Sequence, residues 1–280
     1  DRMADADGFD RLLPNDPLVG VISRNRIVLK PYGVWAVVAP FNFPFALSGG
    51  PVGPALIAGN TVVYKVSPET SLSGWLLLEC LRDAGLPPGV VNFVTGGDAT
   101  GRALVQHPQL AGTTFTGSHA VGMEVLRASV IGPYPRPCIT EMGGKNATIV
   151  TRHADVERAA LGIVRSAFGL SGQKCSACSR VYVEQALAEP LRERLVALTR
   201  ALAVGDPTVA QNWMGPVINR SAYERYQRLA THLKAIGRID TGGAWLTEGA
   251  LVRGFFVAPT VARAPLDAAA LVEHADEAQD

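Results

Sequence analysis

The sequence has little charge and almost no excess of either sign. Only 18% of its 280 residues are charged, and 26 Lys and Arg face 25 Asp and Glu for a net +1. A basic nucleic-acid footprint or a polybasic membrane patch is therefore not indicated. With 48% hydrophobic residues and fewer charges than the roughly 25% typical of soluble domains, the composition also excludes intrinsic disorder. The four cysteines, Cys80, Cys138, Cys175 and Cys178, are too few for a disulfide framework at this size, so reduced thiols in a cytosol-like compartment are expected. No apolar run approaches the ~18–20 residues that span a membrane. The opening Asp1-Arg2-Met3-Ala4-Asp5 has neither the basic flank nor the apolar run of a secretory signal. Because it does not start at a methionine, the chain is read as a fragment. No Gly-x-Gly-x-x-Gly occurs, which argues against an ordinary dinucleotide phosphate loop. The five histidines stand apart in sequence, and no metal site is suggested.

What is present is punctuation and alternation. Glycine (29) and proline (19) make up about a sixth of the chain and are scattered between apolar runs, as in a fold with many short connections. The length predicts two domains at ~100–200 residues each. Residues 1–30 read as a surface lead-in. Gly33–Ala39 is a continuous apolar run ended by Pro40, as expected of a strand buried on both faces. A helix over Phe45–Ala58 is weakened by Gly49, Gly50, Pro51 and Gly53. Thr61–Lys65 is a second strand, and Pro68 opens a helix to Ala84, with Leu77, Cys80, Leu81 and Ala84 as its apolar face and Gly85 as its stop. Strands at Val90–Val94 and Thr113–Thr116 follow, with helices at Gly101–His107 and Val121–Val130. Beyond Gly143-Gly144 the alternation resumes: Ala147–Val150, a helix over Val156–Phe168, Arg180–Val183, and a helix from Ala186 to Ala203. This rhythm predicts an α/β fold with a mostly parallel sheet, whose ligands sit at the carboxyl ends of the strands. Pro40-Phe41-Asn42, Lys65-Val66-Ser67 and Gly117-Ser118 should share that rim. A domain boundary is placed near Glu141.

Three motifs carry chemistry. In Gly172-Gln173-Lys174-Cys175-Ser176-Ala177-Cys178-Ser179-Arg180 a cysteine sits in a small-residue loop, and Lys174 and Arg180 are cations able to favour its nucleophilic thiolate. A buried structural cysteine, a redox dithiol or a zinc pair are the competing readings, the last weak without a second pair. In Glu141-Met142-Gly143-Gly144-Lys145-Asn146 a glutamate leaves a strand into a tight turn, where a desolvated cleft would suit it to general-base work. A surface glutamate is the plain alternative. In Pro40-Phe41-Asn42-Phe43-Pro44 a rigidly held amide can donate to a developing oxyanion, or be a simple turn asparagine. Two further segments point to a nucleotide. Phe115-Thr116-Gly117-Ser118 ends a strand and opens a helix, where backbone N–H groups suit a pyrophosphate. Lys65 at a strand end can reach ribose hydroxyls, or be a solvated strand end.

Each motif is ambiguous alone. In this order and spacing, 23 residues from Asn42 to Lys65 and 34 from Glu141 to Cys175, they are not. From about Arg24 to Thr260 the chain resembles the NAD(P)-dependent aldehyde dehydrogenase superfamily. Tyr32–Pro44 and Ser171–Arg180 look most like its 1-pyrroline-5-carboxylate (glutamate-γ-semialdehyde) dehydrogenase branch. The resemblance implies a parallel-sheet dinucleotide-binding domain over 1–140 and an α/β catalytic thiol domain over 141–280, both incomplete. It implies catalytic roles for Cys175 (nucleophile), Glu141 (base) and Asn42 (oxyanion donor). Phe41, Lys65, Ser67, Gly97, Gly117, Ser118 and Met142 would face the cofactor, and Phe43 and Ser176 the substrate. The implied cofactor is NAD, with NADP the alternative because Pro68 stands where a ribose-binding glutamate often signals NAD. The implied partners are a small aldehyde and, in the full-length form, further copies of the same chain. The setting would be the cytoplasm, or the mitochondrial matrix in a eukaryote. Past Thr260 the pattern departs from the family: Glu273 lies near the place of a nicotinamide-side glutamate but lacks the Phe-Gly-Pro that follows it there. On this reading the chain as given binds dinucleotide weakly and turns over poorly. The competing class is a non-catalytic derivative that only binds a dinucleotide or a partner.

Overall fold

The computed structural model describes residues 30–265. Glu273, and the lead-in expected over 1–30 apart from Lys30, lie outside them. The chain divides into two compact units, one holding residues up to Gly117 with Val121–Glu141, the other Ser118–Ala120 with Met142 onward.

The first unit is built on a five-stranded sheet in the order β3-β2-β1-β4-β5, formed by β1 (Val34–Val38), β2 (Thr61–Lys65), β3 (Val91–Val94), β4 (Leu110–Thr116) and β5 (Cys138–Glu141). Every pairing is parallel. The β-branched run of β1 takes the centre, where Ala36 and Val37 are fully buried, because a strand covered on both faces needs apolar side chains pointing both ways. Trp35, Val37 and Ala39 share one face with Val62, Tyr64 and Val66, and pack with Val52 and Ala55 of α1 (Ala46–Ile57) and Leu77 of α2 (Ser71–Asp83). The Trp35 indole N–H donates to Thr114 Oγ1 at 2.9 Å, and Gly112 leaves room for the indole ring, which any Cβ there would strike. α1 forms despite Pro51 and Pro54. The Ser48 hydroxyl donates to the Pro44 carbonyl and accepts from Tyr64, so sheet packing outweighs weak propensity.

α2 follows a single 3-10 turn at Pro68–Thr70. Its buried face is Gly74 and Leu77, whereas Cys80 and Ala84, assigned to that face by spacing, are exposed. The helix ends at Ala84, with Gly85 at φ +84°, a conformation glycine adopts without the Cβ penalty. α3 (Asp98–Val105) starts three residues before the expected Gly101, and α4 (His119–Ser129) two before Val121. After β3 the chain crosses to the far side of β1 to make β4. The winding therefore reverses between β1 and β4, and in open α/β sheets such a switch point opens the ligand crevice at the carboxyl ends.

The second unit has a parallel pair, β6 (Asn146–Val150) and β7 (Cys178–Val183), and two long helices, α5 (Val156–Phe168) and α6 (Gln185–Arg200). Val150, Ala160, Ile163, Val164, Cys178, Leu191 and Leu195 form their shared core. Asp155 caps α5 by accepting from the Arg158 N–H at 3.0 Å, an arrangement typically worth about 1 kcal/mol. α6 stops three residues short of the expected Ala203, whose carbonyl instead accepts from Trp213 and Met214. α7 (Arg220–Ile236), capped by Asn219 onto Ala222, was not anticipated, nor was the antiparallel pair β8 (Arg238–Thr241) and β9 (Val261–Arg263). No described helix is long and apolar enough to cross a membrane.

Candidate active site

In the first unit the parallel register sets the carboxyl ends side by side. Val38 is level with Lys65 and Phe115, Lys65 with Val94, and Thr116 with Glu141. The segments that follow carry Phe41, Asn42, Lys65, Ser67 and Gly117, which share the rim that the alternation predicted, and Gly97 and Glu141 join them; Ser118, expected there too, falls in the second unit.

Lys65 is not a solvated strand end. It is buried, its Nζ donates to the Val66 carbonyl at 3.2 Å, and its stem runs beneath α3, where a Cβ on Gly101 would lie 3.7 Å from Lys65 Cε. Burial pulls its pKa below the usual lysine value, and Asp98 pulls it partly back. A buried ammonium at the rim is a donor in search of acceptors. Ser67 precedes the 3-10 turn, with its carbonyl accepting from the Thr70 N–H at 3.1 Å. Gly97 stands at the N-cap of α3 with open space where a Cβ would be. Phe41 is half-buried and Phe43 exposed. Between them Asn42 accepts from the Phe43 N–H at 3.1 Å through its own Oδ1, which orients the amide.

One expectation changes on this rim. The Gly117 N–H, assigned to a pyrophosphate, donates to the Glu141 carbonyl at 3.1 Å. The glycine is required because a Cβ would fall 2.6 Å from the Phe115 ring. Glu141 ends β5 as an exposed residue.

Ser118, Met142, Cys175 and Ser176 belong to the second unit. Ser118 is buried, Met142 and Cys175 are half-buried, and Ser176 is exposed. Gly143 and Gly144 make no tight turn: both lie in an irregular link between β5 and β6, and Gly144 instead admits the Cys175 carbonyl, 2.6 Å from where its Cβ would be. Cys175 and Ser176 are the central residues of a β-turn closed by the Ala177 N–H on the Lys174 carbonyl at 3.1 Å. Central turn residues keep their N–H groups out of the turn's own bond, and among the described residues neither finds an acceptor. Backbone donors of this kind can hold an oxyanion that forms beside them.

The approach to this turn is held in place. Leu170 and Ser171 adopt φ of 56° and 57°, followed by Gly172 at 75°, a left-handed stretch that costs about 1–2 kcal/mol per non-glycine residue. Ser171 Oγ donates to the Gly215 carbonyl at 2.9 Å, and Gln173 Oε1 accepts from the Ile218 N–H at 2.9 Å. Both tie the loop to residues 215–218. Of the cations flanking the cysteine, one is committed elsewhere and the other lies over a neighbouring glycine. Arg180 donates to the Lys145 carbonyl at 2.6 Å, and Lys174 Nζ folds back over Gly169, 2.9 Å from where a Cβ would be. Cys178 faces the helices, with its sulfur 3.1 Å from Thr148 Oγ1 and buried in the core, which disfavours the dithiol and zinc readings. Lys145 is also lowered, by burial and then by Arg180. It was quoted within a motif but given no role, as was Asn146, whose amide bridges two carbonyls of the cysteine turn.

Residues 16–274 match the aldehyde dehydrogenase family. A curated 1-pyrroline-5-carboxylate dehydrogenase of Geobacillus thermodenitrificans is 43% identical over 242 residues, covering 85% of this chain and 46% of the relative. The crystal structure of a Thermus 1-pyrroline-5-carboxylate dehydrogenase with bound NAD superposes with a TM-score of 0.80 at 37% identity, over 85% of this chain and 46% of that one. A γ-glutamyl-γ-aminobutyraldehyde dehydrogenase of Burkholderia cenocepacia gives 0.82 at 34%, over 86% and 49%. The chain thus spans about half the length of the curated relatives it matches. On the family match across nearly its whole length, and with the parallel rim and the cysteine turn in place, the chain belongs to the aldehyde dehydrogenase family.

Proposed function

We propose that the protein serves the NAD-dependent oxidation of an aldehyde to a carboxylic acid, with L-glutamate γ-semialdehyde, the open form of 1-pyrroline-5-carboxylate, as the substrate. The observation that carries the proposal is the cysteine turn: Cys175 presents a thiol beside two backbone N–H groups that have no acceptor among the described residues. The dinucleotide fits the first unit's chemistry, because Lys65 is a buried donor at the carboxyl rim of a doubly wound sheet and Gly97 leaves the neighbouring helix start open. Lys65 and Ser67 would hold the adenosine ribose. When bound, NAD supplies the hydride acceptor.

The chain's own residues do the rest. The Cys175 thiolate adds to the aldehyde carbon, and the resulting oxyanion takes a hydrogen bond from the Cys175 N–H; the family resemblance gives the Asn42 amide the same role. Loss of one such donor typically costs ~10²–10³ in turnover. Glu141 accepts a proton from the water that releases the acid from sulfur. Glutamate semialdehyde is favoured by the identity shared with named 1-pyrroline-5-carboxylate dehydrogenases. In the same reading residues 1–140 form the dinucleotide-binding domain and 141–280 the catalytic one.

The test is reduction of NAD and of NADP by the purified protein, offered glutamate semialdehyde and, separately, simple aliphatic aldehydes, with Cys175→Ala as the control. Aldehyde-dependent reduction that is lost in Cys175→Ala supports the proposal. Activity confined to aliphatic aldehydes overturns the substrate. Dinucleotide binding by titration without turnover on any aldehyde overturns catalysis and leaves the non-catalytic reading.

A further inference from the structure

We propose that Asn146 is the positioning residue for the Cys175 nucleophile, one amide holding the cysteine turn in the shape that keeps its central N–H groups out of the turn's own bond; this rests on the reading of Cys175 as the nucleophile. Asn146 begins β6. Its Nδ2 donates to the Cys175 carbonyl at 2.6 Å and to the Ala177 carbonyl at 3.2 Å. An asparagine amide has two N–H donors on that nitrogen, and with two carbonyls facing it the nitrogen rather than the oxygen must be turned toward them.

Those two carbonyls belong to the second and fourth residues of the Lys174–Ala177 turn. Fixing them from one point outside the turn fixes the peptide planes after Cys175 and after Ala177. A rotation of the plane after Cys175 would break the short bond and swing the Ser176 N–H, which shares that plane, away from its outward direction. Nothing within the turn itself opposes the rotation, because its single internal bond joins Lys174 to Ala177.

Two further contacts support the same role. Gly144 brings its backbone so close that a Cβ would lie 2.6 Å from the Cys175 carbonyl and 3.1 Å from Asn146 Nδ2. The glycine therefore makes room for the very bond in question. Ser179 Oγ lies 3.4 Å from the Asn146 carbonyl, donating to it from β7, so the backbone that carries the amide is itself held to the neighbouring strand. Ser171 and Gln173 hold the start of the loop against residues 215–218, and Asn146 holds its end. The residues between the two anchorages are those that carry the reactive sulfur.

The test compares the wild type with Asn146→Ala, Asn146→Asp and Asn146→Ser in four measurements: thermal melting, kcat and KM, the pH profile of iodoacetamide labelling at Cys175, and hydrogen exchange of the Ala177 amide. Aspartate keeps the shape but has no donors, while serine is shorter and offers one donor for two carbonyls. For Ala and Asp we expect kcat to fall roughly 10²-fold, as for a misplacement of ~1 Å, with KM little changed. Cys175 labelling should slow and its pH profile move, and Ala177 exchange should rise about five- to tenfold, as for loss of one hydrogen bond's worth of local closure. Ser, with one shorter donor, should fall no closer to the wild type than a partial recovery of each. The inference is overturned if Ala and Asp match the wild type in labelling and in Ala177 exchange. It is overturned equally if every amide loosens together, with melting lowered and no effect centred on Ala177, since Asn146 then supports only the fold. If the wild type itself fails to oxidise any aldehyde, the functional proposal fails, while labelling and exchange still decide the role of Asn146.

Discussion

Replacing Lys65 by methionine should move stability and cofactor affinity in opposite directions. The side chain is buried at the end of β2, its Nζ donating among the described residues to the Val66 carbonyl at 3.2 Å, and burial holds its pKa below 10.5. A lowered lysine pKa means that the folded state disfavours the charged form, so at neutral pH the ammonium costs stability. Methionine has nearly the same length and no charge, and Lys65→Met should melt at a higher temperature than the wild type. The sign of the pH dependence follows. Below the folded pKa both states hold the proton and the penalty is fully present. As pH rises through the folded pKa toward 10.5, the unfolded chain binds more protons than the folded one, so wild-type stability climbs. The gap between wild type and Lys65→Met should therefore close in that window. Affinity should go the other way. Hydrogen bonds from a charged donor are worth about 1.5–3 kcal/mol, so dinucleotide binding, followed by calorimetric titration, should weaken by roughly 10- to 100-fold. Equal or tighter NAD binding by the variant would refute the assignment of Lys65 to the ribose. A lower melting temperature with no pH-dependent gap would refute the argument from burial.

Other expectations follow from single contacts. Iodoacetamide followed by peptide mapping should label Cys175 and spare Cys178, which is buried, and Cys138, whose pKa burial raises. Cys80 is exposed, so faster labelling of Cys80 than of Cys175 would show that exposure and not activation governs the reaction. Gly144→Ala would put a Cβ 2.6 Å from the Cys175 carbonyl, about 0.8 Å inside ordinary contact. Turnover should drop by up to ~10²-fold and stability by about 1–3 kcal/mol, and an unchanged variant would mean that the link relaxes freely. Arg136 donates to the carbonyls of Val105, His107, Leu110 and Ala128. Arg136→Ala should lower the stability of the first unit by about 3 kcal/mol in denaturant titration, and a loss under about 0.5 kcal/mol would show that water replaces the guanidinium.

The strands of the first unit were legible because a β-branched apolar run between glycine and proline has few other fates, and β1 and β2 appear within a residue of their expected ends. α7 was missed. Its Tyr223, Tyr226, Ala230 and Leu233 recur at helical spacing, but only Ala230 is buried, and the intervening charges blur the pattern. The rim was also legible, since parallel pairing brings all carboxyl ends to one edge whatever the residues. What each rim residue does there was less so. The Gly117 N–H meets Glu141 and not an open site because β4 and β5 are neighbours, a fact of register that no local pattern carries. Asn146 escaped for the same reason: its partners lie 29 and 31 residues away, and its spacing within its own motif shows nothing of them. Cys178 pointed inward only once the parity of β7 was known, because the strand begins two residues earlier than expected.

The strand order of the first unit also has a consequence during synthesis. β1 lies at the centre, yet it is made first, and one of its two neighbours, β4, is made after β2 and β3. From Lys65 at the end of β2 to Leu110 at the start of β4 the ribosome must add 45 residues, which takes roughly 2–9 s at ~5–20 residues/s. For that interval the nascent sheet has an apolar strand with an open edge, already twisted and already paired on its other side. Slowing elongation between α2 and β4 would lengthen the exposure, and faster codons there would shorten it. Yield of folded protein should therefore respond to codon choice over residues 66–110 more than over an equal stretch of the second unit, where the pair β6 and β7 is joined by α5 and one short 3-10 turn.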